Sequence, residues 1–91
     1  MKPKGWSILV ASDIERDGLG LELRSPLGDV VGEIFRGDEE HSVLVTLWAT
    51  DIPADALAWF RAAARRELGV TYEDGTVVDW EEVQSVVVQP A

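Results

Sequence analysis

The sequence lacks cysteine altogether and contains a single histidine, His41, among its 91 residues. Without cysteine the chain can form no disulfide bond, no thiolate zinc site and no cysteine nucleophile, and one histidine cannot build a histidine-rich metal centre. The chain also lacks the Gly-x-Ser-x-Gly, Gly-x-Gly-x-x-Gly and P-loop patterns, which are common signs of hydrolases and nucleotide-binding proteins. We therefore expect a protein without cofactor, without metal and without catalytic activity.

Basic residues are scarce: the chain has 8 Lys and Arg against 17 Asp and Glu, which gives a formal net charge of -9. Such a charge repels nucleic-acid backbones and anionic membranes, and it favours a basic protein partner. The acidity also has a simpler interpretation, namely that it keeps a small domain soluble and monomeric. The apolar run over residues 6–11 is too short for a signal-peptide core or a bilayer-spanning helix, so we expect a cytoplasmic protein.

The strongest structural pattern lies between residues 42 and 68. Residues 42–50 form an apolar, β-branched run typical of a buried strand, and residues 54–68 have the periodicity of an amphipathic helix. Pro53 suits the start of this helix, and Gly69 suits its end. The expected buried stripe of the helix consists of Leu57, Phe60, Ala64 and Leu68, with Pro53 and Ala56 at its edge.

Three shorter patterns precede this unit and predict strands over residues 6–11, 19–24 and 30–36, separated by polar turn segments. Connections this short favour sequential antiparallel pairing, because parallel pairing needs a long crossover. We therefore predict a single α+β domain over residues 1–91, built as a four-stranded antiparallel meander with one main helix packed on one face (ββββα).

The pattern weakens after Gly69. Residues 70–78 predict a small hairpin around Gly75. Residues 80–89 fit either a short helix from Trp80 to about Gln84 or a closing strand, and the sequence does not separate the two.

Two tryptophans, Trp48 and Trp59, lie where the single helix does not bury them. The fourth strand is apolar on both faces, and one helix covers only one of them, so the face with Trp48 needs the C-terminal segment or a second subunit. Trp59 lies almost opposite Leu57 on the helical wheel. The C-terminal segment or the stem of Arg66 could shield it, or it could contact a partner.

The segment from Asp13 to Asp17, followed by Gly18, is the most site-like motif. It partly resembles the calcium-binding EF-hand loop, which has acids at its first, third and fifth positions and glycine at its sixth. The twelfth position, which should supply a bidentate carboxylate, is Arg24, and predicted strands flank the loop. We therefore interpret it as a charged hairpin loop, with calcium binding as the alternative.

The acids are unevenly distributed, since residues 37–55 and 71–91 contain many and no Lys or Arg. If these two regions meet in space, the molecule has one strongly negative side. Our functional prediction is a small, non-catalytic protein-binding module, such as an inhibitor or immunity-type protein for a basic partner. A structural homodimer and a calcium-binding protein are the alternatives. The predicted partner-binding residues are Asp38, Glu39, Glu40, Trp59, Glu73, Asp74, Trp80, Glu81 and Glu82.

Overall fold

A computed structural model describes residues 2–13, 15–81 and 83–87, the last four of these by their backbone alone. The elements are β1 (Ser7–Asp13), β2 (Gly18–Arg24), β3 (Val30–Gly37), β4 (Ser42–Leu47), α1 (Ala54–Leu68) and β5 (Gln84–Val87). The first four strands pair antiparallel in sequence order, and α1 follows them. The predicted α+β meander with one helix is therefore confirmed.

The C-terminal part resolves the alternative that the sequence left open for residues 80–89. Gln84–Val87 pair parallel to β4 at the edge of the sheet, so a closing strand forms here and the helix up to Gln84 does not. Residues 88 and 89 lie outside the described residues. The predicted hairpin is confirmed as well, because Thr71 and Val77 form an isolated bridge around a turn at Gly75.

The helix packs on β2 and β3 and divides the sheet into two unlike faces. Strand residues alternate between the faces, so the register assigns each cross-strand row to one of them. One face lies under the helix and carries Leu21, Leu23, Ile34, Val45 and Leu47. We call it the covered face. The opposite face carries Leu9, Phe35 and Leu44, and we call it the open face. We count Trp48 with this face, because it directly follows β4 and its N–H still bonds to β3.

The buried stripe of α1 is rotated from the predicted one. Phe60, Ala64 and Leu68 are buried as expected, but Leu57 is only half-buried, whereas Ala56 and Ala63 are fully buried. The physical reason is that the small side chains of Ala56 and Ala63 let the helix backbone lie close to the sheet. The Phe60 ring then packs over Gly32, which has no side chain. A Cβ atom added to Gly32 would lie 3.4 Å from the Phe60 ring and 3.1 Å from a Leu47 methyl carbon.

The fourth strand is shorter than predicted, ending at Leu47 rather than at residue 50. Trp48 still donates its N–H to the Val31 carbonyl at 2.9 Å. Because β3 begins at Val30, it offers almost no further backbone groups to pair with, and the chain turns toward Pro53 at the start of the helix.

Candidate functional site

Three loops meet at one end of the sheet and form an acidic depression with a volume of about 500 Å³. We call it the acidic cleft. The β1–β2 turn, the β3–β4 turn and the C-terminal hairpin line it with Asp17, Asp38, Glu39, His41, Glu73 and Asp74. The two acid-rich regions of the sequence therefore meet at this cleft. Four of the predicted partner-binding residues line it, namely Asp38, Glu39, Glu73 and Asp74.

The ion pair between Arg36 and Asp38 holds the cleft together. Arg36 Nε lies 2.9 Å from Asp38 Oδ1, and Arg36 Nη2 donates to Asp38 Oδ2 at 3.2 Å. Arg36 Nη1 also donates to the carbonyl oxygens of Leu68, the last helical residue, and of Thr71 at 3.3 Å. The side chains of Arg36 and Asp38 are only 16% and 10% exposed, so this pair ties the β3–β4 turn to the end of α1.

Asp38 has further structural bonds. Its Oδ1 accepts the backbone N–H of Glu73 at 3.0 Å, and its own N–H donates to the Asp17 carbonyl at 3.0 Å. Asp38 therefore joins all three loops, and its charge is already balanced by Arg36. Glu39 and Glu73 differ from it, since neither carboxylate has a hydrogen bond or ion pair among the described residues. The Asp17 carboxylate has no such partner among the described residues either, so Asp17, Glu39 and Glu73 provide the unpaired charge of the cleft.

His41 and Asp74 link the two sides of the cleft. His41 Nε2 lies 2.7 Å from Asp74 Oδ2, and the His41 ring lies 4.9 Å from the Tyr72 ring between centroids. Asp74 Oδ1 accepts the backbone N–H of Thr76 at 2.9 Å. Hydrogen bonds from the Thr76 backbone and side chain, and then from His41, lower the pKa of Asp74. Asp74 is therefore a firmly ionised carboxylate that orients His41.

The described residues place no third member of a nucleophilic triad beside this histidine–aspartate pair. Ser42 follows His41, but the hydrogen bonds of the described residues include none between a serine hydroxyl and the His41 ring. The contact with Asp74 gives His41 a structural role, since it holds the hairpin against the β3–β4 turn.

The remaining predicted site residues lie elsewhere. Glu40 and Glu81 are exposed but do not line the cleft, and Glu82 lies outside the described residues. Trp59 is partly buried and packs against the core. Trp80 is also partly buried, donates its indole N–H to the Gly69 carbonyl at 3.0 Å and lines a different cavity. Neither of the predicted aromatic anchors therefore lines the acidic cleft.

Sequence reasoning did not include Asp17 and His41 in the site. The sequence predicts only that Asp17 lies in the loop between the first two strands. In the structure, the hydrogen bond from the Asp38 N–H to the Asp17 carbonyl places these two loops side by side. Both residues have positive φ angles, 49° for Asp17 and 50° for His41. A glycine following the first, Gly18, was the local signal for a tight turn, but no local signal indicated which loops would meet.

The loop from Asp13 to Asp17 is organised by Arg16. Asp13 Oδ1 accepts the N–H groups of Glu15 and Arg16 at 3.0 and 3.1 Å, and the Arg16 side chain pairs with the same carboxylate. The hydrogen bond from the Arg16 side chain is the main cause that lowers the pKa of Asp13. A calcium ion would have to displace this arginine, and the described residues contain no group of three or more His, Asp or Glu suited to holding a metal.

Arg16 also covers part of the open face. Its guanidinium carbon lies 4.0 Å from the centroid of the Phe35 ring, and its nitrogens donate to both Glu33 carboxylate oxygens at 2.9 and 3.0 Å. Beyond this contact Leu9, Leu44 and Trp48 are 48%, 41% and 42% exposed. The described part of the C-terminal segment joins the sheet edge instead of covering them.

Comparison with protein-family models, with characterised proteins and with solved structures finds no match to this chain. In the part of the chain that the structure describes, no helix is both long enough and apolar enough to cross a bilayer.

Proposed function

We propose that this chain is a non-catalytic module that binds a basic protein partner through the acidic cleft. The observation that carries the proposal is the convergence of Glu39 and Glu73, two exposed carboxylates from different loops, on a depression that Asp17 also lines. A net charge of -9 adds a long-range field of the same sign. Together these features favour fast, electrostatically steered association with a positively charged surface.

An inhibitor or immunity-type role is the concrete form of this proposal. A basic nuclease uses a positively charged surface to hold phosphates, and carboxylates presented by a protein can occupy the same surface. The architecture suits such a role, because Arg36, Asp38 and His41 fix the loops before binding and so reduce the ordering cost of association. The absence of cysteine fits a reducing compartment, and we propose a cytoplasmic location.

The test is affinity capture from a lysate of the source cells, followed by measurement of association rates for each basic protein recovered. The Glu39→Gln/Glu73→Gln double variant removes two cleft charges, and the Asp29→Asn/Asp51→Asn variant removes two exposed charges elsewhere. We expect the cleft variant to slow association by roughly tenfold and the control variant by less than about twofold at low salt. Equal slowing by both variants, or binding that ignores ionic strength, would contradict the proposal.

A second candidate function is self-association through the open face. It is favoured by the exposure of Leu9, Leu44 and Trp48 on the same side of the sheet, since apolar side chains grouped on one face often mark an interface. Two copies would each need to overcome their like net charge, so we expect dimers only at high protein concentration. Sedimentation at increasing protein concentration tests this candidate, because self-association raises the apparent mass.

A further inference from the structure

A second cavity lies beside the helix, on the covered face and away from the acidic cleft. Its volume is about 390 Å³, within the range of roughly 300 to 1,000 Å³ that is usual for small-molecule sites. Ile34 and Val45 lie at its base and are each only 1% exposed, so the apolar surface that a ligand can reach comes from Ala62, Trp80 and Val83. The cavity therefore offers apolar surface to a ligand.

One wall of the cavity is a charged strip of α1. Arg61, Ala62 and Arg65 line it, and all three are exposed, so the cavity is reached from solvent on this side. The two arginines lie four residues apart, which places them one above the other on the helix surface. In a chain with a net charge of -9, Arg65 places an exposed guanidinium group at the border of this cavity.

The described residues of the opposite wall are Trp80 and Val83. The Trp80 indole N–H donates to the Gly69 carbonyl at 3.0 Å, so the ring is held in place and its polar group is satisfied. The ring can then present an apolar surface to a ligand without leaving a donor unpaired. Asp79 lines the neighbouring cavity beside His41 instead, so its carboxylate does not border this one.

We propose that this cavity binds a small amphipathic carboxylate, with the apolar body of the ligand on Ala62, Trp80 and Val83 and its carboxylate at Arg65. Arg61 already takes part in an interaction within the chain, so we assign the ligand charge to Arg65 first. The planar guanidinium of arginine matches a carboxylate with two parallel hydrogen bonds. This binding site is independent of the acidic cleft and of the function proposed for it.

The test uses octanoate and its uncharged analogue octanamide, with the indole N–H resonance of Trp80 in a nitrogen–proton correlation spectrum as the readout. We expect octanoate to shift this resonance with a Kd in the range of about 10 µM to 1 mM, and octanamide to bind at least about tenfold more weakly. Assignment of the resonance follows from its absence in Trp80→Phe, and the other three tryptophans report binding elsewhere.

Matched variants separate the cavity from general effects of charge and surface. Arg65→Gln should weaken octanoate roughly tenfold while leaving octanamide unchanged, and Arg66→Gln, one position along the helix but outside the cavity, should change neither by more than about twofold. Ala62→Phe should block both ligands by filling the cavity, whereas Ala58→Phe should block neither. All four replaced residues are exposed, so we expect each variant to fold. The dispersion of resonances in the same spectrum checks this.

The proposal is overturned by any of three results: no shift of the Trp80 resonance with octanoate, equal affinity for octanoate and octanamide, or equal loss of octanoate binding in Arg65→Gln and Arg66→Gln. The first result means that the cavity has no affinity for this class of ligand. The second means that the arginines do not contribute, and the third means that binding depends on total charge alone.

Discussion

The two faces of the sheet are made by alternate residues of the same strands, yet they are stabilised in different ways. On the covered face Leu21, Leu23 and Ile34 lie under α1 and are almost completely removed from water. On the open face Leu9, Leu44 and Trp48 remain more than 40% exposed. The first face is stabilised by apolar burial against a helix, which is strong and not directional. Among the described residues, the second is stabilised largely by a local group of contacts around Phe35.

That local group depends on glycine. Cβ atoms added to Gly18, Gly20 and Gly37 would lie 2.5, 3.5 and 3.6 Å from atoms of the Phe35 ring, so the ring rests on strand positions that have no side chain. Arg16 then covers the other side of the ring. The comparison shows that a small sheet can leave a face open where an aromatic ring, a glycine floor and one arginine replace a second layer.

The largest expected effect comes from removing the ring at the centre of the covered face. Phe60 is completely buried, so Phe60→Ala leaves a cavity over Gly32 and should reduce the free energy of unfolding by about 3 to 5 kcal/mol. Urea denaturation followed by circular dichroism measures the loss. Leu44→Ala on the open face is the control, and we expect it to cost less than about 1.5 kcal/mol, since Leu44 is already 41% exposed. Equal losses would contradict the distinction between the faces.

The next effect tests the glycine floor of the open face. A methyl group at Gly18 would lie 2.1 Å from the Arg36 carbonyl oxygen and 2.5 Å from the Phe35 ring, so Gly18→Ala must displace backbone or ring and should cost about 1 to 3 kcal/mol. Gly20→Ala is the matched control. Its nearest contact is the flexible Glu33 carboxylate at 3.2 Å, so the loss should be clearly smaller. The same urea measurement decides, and a neutral Gly18→Ala would show that the floor is not tightly packed.

The covered face and the helix could be predicted well from the sequence because their determinants are local and periodic. Leu19, Leu21 and Leu23 alternate with polar residues or glycine, and residues 54–68 repeat at helical spacing between a proline and a glycine. The helix bounds agree with the structure at both ends. The rotation of its buried stripe could not be predicted, since it depends on Gly32, a residue in a different strand.

The loop contacts could not be predicted because they join residues far apart in sequence. Arg36 bonds to the end of a helix that begins eighteen positions later, and Arg16 lies over a ring on β3. From the charge distribution, one negative side was only a condition on the two acid-rich regions meeting, and in the structure Asp38, Glu39, Glu73 and Asp74 line one depression. The charge distribution gave no means of knowing that Asp38 is neutralised by Arg36 or that Trp80 lies against a separate cavity.

A smaller effect tests the arginine that covers the open face. Arg16→Met keeps a flexible apolar chain over Phe35 but removes the charge, and it should cost about 0.5 to 1 kcal/mol at neutral pH. The loss should also depend on pH. The folded pKa of Asp13 is lowered mainly by the Arg16 side chain, so ionised Asp13 stabilises the fold above its ordinary pKa of about 3.9 and this contribution disappears as the pH falls through the lowered value.

The measurement for Arg16→Met is urea denaturation of wild type and variant between about pH 6 and pH 2. The difference between their free energies of unfolding should shrink toward the acid end of this range. Arg66→Met is the control, because Arg66 is exposed on the helix and its side chain pairs only with Glu67, at 3.5 Å, among the described residues. A wild-type advantage that stays constant with pH would mean that Asp13 does not draw stability from Arg16.

The smallest effect on stability, and the sharpest test of what the open face does, comes from Leu9→Lys. Leu9 is 48% exposed, the stem of lysine can cover the same surface, and Glu22 lies opposite it on β2, so the free energy of unfolding should change by about 0.5 kcal/mol or less. If Leu9 lies in a self-association interface, a charge there must be desolvated when two copies meet, which should weaken the dimer by at least about tenfold.

We expect wild type to show concentration-dependent sedimentation at high concentration and Leu9→Lys to remain a monomer. Val77→Lys, at a 74% exposed position on the hairpin, should sediment like wild type. A wild type that stays monomeric throughout would show that the open face is tolerated without a partner copy, leaving the acidic cleft as the remaining candidate interface.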